Sequence, residues 1–259
     1  MKVGVVMDEA IRFTKLLNEN NSVTFFGNTS KFHLEKFSRL VEISKFMQFE
    51  RPDIVIESSG FVYFFECFEF DSSNNSKKGT EMRKEEAKVQ REFDQHVQQT
   101  LKKEPDKTVF HKTTYQSDRS VDCYIDNFIR NFSTHYDKIE EYKSNCKVNI
   151  LEKDYEFGFI IENTSILPDI VLKENGDTSL LLPIHLTKIL NFLKTKSEVK
   201  NIFYITPNGG SGYSIFYFRN AIDFYSEIIE LGLSINDNEK LIDWKANSIG
   251  FVVPIPKIQ

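Results

Sequence analysis

Asp53 and Glu66, thirteen residues apart, are the side chains of this sequence best placed to do chemistry. Asp53 follows Pro52 and opens the run Ile54-Val55-Ile56-Glu57. After Ser58-Ser59-Gly60 the chain continues Phe61-Val62-Tyr63-Phe64-Phe65 and reaches Glu66, then Cys67-Phe68-Glu69. Two apolar runs rich in β-branched and aromatic residues around a Ser/Gly turn read as a β-hairpin. A carboxylate that ends five apolar residues is costly to desolvate unless something offsets its charge. A hard cation does so, because Mg²⁺ takes oxygen ligands, usually one or two carboxylates completed by water and phosphate.

Strand register decides whether the two acids can share an ion. Residues directly opposite one another in an antiparallel pair point to the same face, with Cβ atoms about 4.5–5.5 Å apart. If Glu57 pairs with Val62, Asp53 lies opposite Glu66. If Glu57 pairs with Phe61, Asp53 faces with Phe65 and Cys67 instead. The sequence leaves both registers open. It also leaves a plainer reading, in which Asp53 is a solvated turn acid and Glu66, Glu69 and Asp71 form the wet end of a strand.

The elements that must position these residues are read from periodicity. Lys2–Met7 and Ser22–Phe26 are expected as strands, with a helix over Asp8–Asn18 between them. A second helix is expected over Lys31–Gln48, where Phe37, Leu40, Val41 and Met47 make a stripe and Glu35 and Glu42 share a face. After the hairpin, Asp71–Ser76 is turn-like. Lys77–Lys103 is heavily charged, yet Val89, Phe93, Val97 and Leu101 recur at helical spacing. Glu104–Asp118 reads as a connecting loop. Ser120–Lys143 reads as a second long helix carrying Tyr124, Ile125, Phe128, Ile129, Phe132, Tyr136 and Ile139 on one side. Together they suggest an αα-hairpin inserted over residues 77–145 of one α/β domain, 1–259. Beyond it, strands are expected at Lys147–Leu151, Glu156–Glu162 and Ile170–Leu172, and a helix at Ile184–Leu193. A hairpin is expected at Asn201–Thr206 and Tyr213–Phe218, helices at Asn220–Leu231 and Asn236–Lys245, and a last strand at Ser248–Val253. The fold class is α/β: a mixed central sheet with flanking helices and a long helical hairpin.

Composition bounds the function. With 24 Phe there is apolar mass for a large core, and a net charge of −5 argues against a protein that coats nucleic acid generally. The three cysteines, Cys67, Cys123 and Cys146, form no CxxC pair, which suits a reducing cytoplasm. The first residues lack the pattern of a signal peptide, and no apolar run approaches the ~20 residues of a membrane span. The five histidines, among them His135 on the second long helix, show no zinc-ligand spacing. His135 reads as a packing or surface residue. Asn208-Gly209-Gly210-Ser211-Gly212 lacks the Lys-Ser/Thr of a phosphate loop and reads as a hairpin turn. Glu162-Asn163-Thr164-Ser165 ends an apolar strand as Glu66 does, and reads either as a third acid near the site or as a turn.

Pro52-Asp53 followed by Glu66-Cys67-Phe68 in a hairpin, after a helix bearing Glu35 and Glu42, resembles the PD-(D/E)xK nuclease superfamily. The resemblance implies a nuclease-like core and a phosphodiesterase that uses Mg²⁺ or Mn²⁺ on DNA or RNA. It implies Asp53 and Glu66 as metal ligands and catalytic residues, the Cys67 carbonyl as a third ligand and Glu42 as a further candidate. The lysine that helps activate the attacking water in that superfamily is here Phe68, which can neither donate to water nor stabilise developing charge. Some members supply the lysine from a nearby helix, and Lys77, Lys78, Lys84 and Lys88 are available, with Lys78 and Lys88 taken as the catalytic candidates. The same departure supports an alternative, a catalytically inactive nuclease-fold module for binding or assembly. The oligomeric state is not legible.

Overall fold

The protein is described from a computed structural model, covering residues 23–29, 31–32, 36, 45–48, 52–58, 61–76, 79–104, 109–115, 119–145, 154–165, 168–173, 175–208, 213–235, 240–241 and 246–252. The expectations for Lys2–Met7, Asp8–Asn18 and Lys147–Leu151 lie outside these residues, as do Glu35, Glu42, Lys77, Lys78 and Cys146.

The fold is mixed α/β, built on a seven-stranded sheet. Its strands are β1 (Val23–Phe25), β2 (Lys45–Gln48), β3 (Ile54–Ser58), β4 (Phe61–Phe70), β8 (Asp154–Asn163), β11 (Val199–Pro207) and β12 (Tyr213–Arg219). They lie in the order β1-β12-β11-β8-β4-β3-β2. β4, β8 and β11 run parallel at the centre, and antiparallel β3 and β12 flank them. Strands buried on both faces should read as unbroken apolar runs, and Phe61–Phe65 and Phe157–Ile161 do.

The two faces carry different cores. Val55, Phe64, Phe68, Phe70, Phe159, Ile161 and Tyr204 face one way, and the helices pack there. These are α2 (Val121–Tyr136), α3 (Ile139–Asn145), α4 (Thr187–Lys194) and α5 (Ile222–Glu230), with α1 (Glu81–Lys103) earlier in the chain. Ile54, Ile56, Tyr63, Phe65, Ile160, Phe203 and Tyr217 face the other way, where the Lys36 ammonium lies 4.8 Å from the centre of the Phe61 ring.

Among the described residues three small sheets accompany the large one. β9 (Ile170–Leu172) sits between β10 (Thr178–Leu180) and β13 (Lys240–Leu241); β7 (Val109–Tyr115) pairs with β14 (Ala246–Val252); β5 (Asn75–Ser76) pairs with β6 (Gly79–Thr80).

Several elements depart from their expected form, and for the strands among them pairing with another segment overrides local pattern. Lys45–Gln48 is strand rather than the end of a helix, because it pairs along β3 and satisfies backbone groups that β3 would otherwise leave open. Val109–Tyr115, expected as loop, is a strand whose partner lies near the end of the chain. A strand therefore stands between the two long helices. α1 meets β6 and β7, while α2 packs on β4 and α4. The long helix over Ser120–Lys143 starts as expected, with the Ser120 hydroxyl accepting from the Cys123 amide, but it divides at a turn over Asp137 and Lys138 into α2 and α3. Lys240–Leu241, expected as helix, pairs with β9. The hairpin of β11 and β12 is formed, from Asn201↔Arg219 to Pro207↔Tyr213.

Gly158 on β8 faces Phe65 of β4 across the sheet. A Cβ there would lie 2.4 Å from the Phe65 ring and 2.7 Å from the Asn201 carbonyl oxygen. Gly158→Ala is expected to cost about 1–3 kcal/mol by overpacking. In urea titration the midpoint should fall with the slope unchanged.

His185 supplies a second prediction. Its ring is buried, one nitrogen donates to the Leu180 carbonyl, and Nδ1 has no hydrogen-bond partner. Burial, with a smaller contribution from Lys173, pushes its pKa down to about 4. Between that value and the ordinary 6.5 the unfolded chain binds a proton that the folded chain refuses, so stability falls as pH falls. At about 1.4 kcal/mol per pKa unit, the loss reaches about 3 kcal/mol. Thermal melts at pH 7.5 and 4.5 should show a larger drop for the wild type than for His185→Leu.

Candidate functional site

The register of the hairpin brings the two acids together. Glu57 pairs with Val62 and Ile54 with Phe65, so Asp53, one step before β3, stands opposite Glu66. The Asp53 carboxylate turns toward β4, and Oδ2 accepts the backbone N–H of Cys67 at 2.7 Å. In a strand the N–H and C=O of one residue point to the same edge. The Cys67 carbonyl therefore faces the Asp53 edge of β4.

Glu66 is 5 % exposed and lies on the helix-covered face with Phe64, Phe68 and Phe70. Two donors reach one of its oxygens. The Tyr142 hydroxyl donates to Oε1 at 2.9 Å, and His135 Nδ1 lies 3.0 Å from the same atom. A carboxylate only accepts, so the His135 tautomer that carries its proton on Nδ1 is the one that makes this contact a hydrogen bond. The other oxygen, Oε2, is buried and has no hydrogen-bond partner.

His135 reaches Glu66 because α2 runs along β4 as an aromatic ladder. One helical turn advances about 5.4 Å, and two strand residues about 6.6 Å, so side chains spaced three or four apart on the helix keep pace with alternate residues of the strand. Tyr124 and Phe128 meet Phe70, Phe132 and His135 meet Phe68, and His135 continues to Glu66. The His135 ring stacks on Phe68 at 4.8 Å between centres and 11° between planes. The turn after α2 then lets α3 deliver the fully buried Tyr142.

A second polar cluster anchors this ladder at the ends of β4 and β8. Asp169, 0 % exposed, accepts from the Ser72 hydroxyl, the Arg119 guanidinium and the Asn163 amide at 2.7, 3.0 and 2.8 Å. Its pKa is raised by burial, opposed by Arg119 and by these hydrogen bonds. Asn127 of α2 donates to the Asp71 and Ser73 carbonyls, tying the helix to the chain leaving β4. Glu162 pairs in register with Glu69, on the face opposite Glu66, and so adds no third acid.

Of the residues singled out in the sequence, Asp53 stands in register opposite Glu66 and is bonded to the Cys67 amide. Phe68 is buried among Phe132, Phe159 and His135. Lys84 and Lys88 are exposed on α1, where the Lys88 ammonium pairs with Glu85 at 3.2 Å. Lys78 and Glu42 fall outside the described residues. His135 and Tyr142 are the side chains that sequence reasoning missed. The available signal was a histidine three residues beyond Phe132 on an otherwise apolar stripe. Among the described residues no group of three or more His, Cys, Asp and Glu side chains could hold a metal. An ion here would rely on two carboxylates, a carbonyl and water, a donor set suited to Mg²⁺. The orphaned Glu66 Oε2 fits it.

The Asp53 contact makes a stability prediction. Asp53→Ala leaves the Cys67 amide without this acceptor and should cost about 1–2 kcal/mol. Asp53→Asn keeps a carbonyl oxygen in place and should recover most of it. Urea midpoints, with amide exchange at Cys67, check both.

No family model, no curated protein and no solved structure matches the chain, so its function has to be argued from this geometry.

Proposed function

We propose that the protein is a divalent-cation-dependent phosphodiesterase acting on nucleic acid, with a core of the PD-(D/E)xK kind. The observation that carries the reading is a buried carboxylate with one oxygen doubly hydrogen-bonded and the other unpartnered, beside an aspartate held to the neighbouring amide. Asp53, Glu66 and the Cys67 carbonyl would hold Mg²⁺ or Mn²⁺. When bound, the ion supplies charge neutralisation at a phosphate and a more acidic water. The chain's own part is to keep Asp53 against β4 and to hold Glu66 in one rotamer within a dry aromatic wall. The cytoplasm is the proposed location: the three cysteines form no CxxC pair, and no helix among the described residues is long and apolar enough to cross a membrane.

One observation favours a second reading, a nuclease-fold module that binds without cutting. Phe68 occupies the lysine position and is packed in aromatic contact on three sides, so no ammonium stands there.

The test is cleavage of single- and double-stranded DNA and RNA by the purified full chain with Mg²⁺ or Mn²⁺. Several kcal/mol of transition-state stabilisation should vanish with either ligand, so Asp53→Ala and Glu66→Ala should each slow cleavage at least about 100-fold. Cleavage unaltered by both substitutions would overturn the proposal. No cleavage, with no Mn²⁺ binding by calorimetry, would overturn the enzyme reading and favour the silent module.

A further inference from the structure

We infer that His135 and Tyr142 are positioning residues that aim Glu66 Oε2 at a divalent cation, and that Phe68 has exchanged the lysine's charge for a platform that holds the His135 ring. The inference rests on the metal-binding part of the proposed function and adds residues from α2 and α3.

The argument begins with how this chain satisfies a buried carboxylate when only stability is at issue. Asp169 is as deeply buried as any acid here, and both of its oxygens receive donors: Ser72 and Arg119 on Oδ1, Asn163 on Oδ2. Glu66 is treated differently. Tyr142 and His135 crowd onto Oε1 while Oε2, a few bonds away, receives none. An unsatisfied buried polar atom is destabilising, and the donors already present could have been shared between the two oxygens. Their convergence on one oxygen fixes the carboxylate plane and reserves the other.

Phe68 explains why the imidazole is held so firmly. It lies on the same face of β4 as Glu66, and its ring lies nearly parallel beneath His135. The ring can neither tilt away from Glu66 nor approach Oε2 without losing that stack. Tyr142 is fully buried and lies 3.4 Å from His135 Nδ1, so the two donors also brace one another. Outer hydrogen bonds to a ligating carboxylate commonly govern affinity about 10–100-fold.

The experiment measures Mn²⁺ affinity of the full chain by calorimetry and by electron paramagnetic resonance at one fixed pH. The variants are His135→Leu, His135→Asn and Tyr142→Phe, and thermal melts run beside them. His135→Leu and Tyr142→Phe should weaken Mn²⁺ binding by about 10-fold or more. His135→Asn should bind close to the wild type, because its amide nitrogen can donate from the place of Nδ1. A merely structural role would lower the melting temperature and leave affinity in place. If the wild type binds Mn²⁺ and both His135→Leu and Tyr142→Phe bind it equally well, this inference is overturned and the metal site stands. If the wild type binds no Mn²⁺, both fall. Should His135→Leu fail to fold, Tyr142→Phe decides, since it removes a single hydroxyl.

Discussion

Unequal strand length is the constraint on which the rest of this structure depends. β8 matches β4 along all ten of its residues, whereas β3 pairs only with Phe61–Phe65. The sheet therefore has a step beside Glu66. At that step the pairing continues through a side chain, Asp53, which takes the Cys67 amide in place of a backbone carbonyl. Everything proposed about function is located there, because the step sets the half-buried Asp53 opposite the buried Glu66.

The helix-covered face turns this local geometry into a fixed site. The ladder from Tyr124 to His135 sets how far α2 slides along β4, and the Asn127 bonds pin it at the other end. Asp169 and Arg119 form a buried pair whose separate removal should be far more damaging than its joint replacement. That network holds three segments that are remote in sequence, Ser72, Arg119 and Asn163. The two polar clusters thus divide the labour: one fixes the scaffold and has every acid oxygen engaged, the other leaves one oxygen in reserve.

What could be read from the sequence follows from which interactions are local. The hairpin, the central strand Glu156–Glu162 and the hairpin of Asn201–Phe218 were legible because apolar runs bounded by turn residues carry their own signal. The start of α2 was legible from Ser120. The register of Asp53 was not, since both alternatives satisfied the alternation; the Glu57↔Val62 pairing resolves it. β7 and the end of the presumed helix at Gln48 were misread because their partners, β14 and β3, override local preference. His135 and Tyr142 stayed hidden for a similar reason. Their contacts with Glu66 span 69 and 76 residues, and a lone histidine on an amphipathic helix resembles many surface histidines. Phe68, read as a defect in a motif, becomes intelligible only with its stacking partner in view.

The outermost strands of the large sheet are also its shortest, three residues in β1 and four in β2. A row of unpaired peptide groups that brief offers little to a neighbouring molecule seeking to extend the ladder. Among the described residues, lateral growth of the sheet through its two border strands is disfavoured by their brevity.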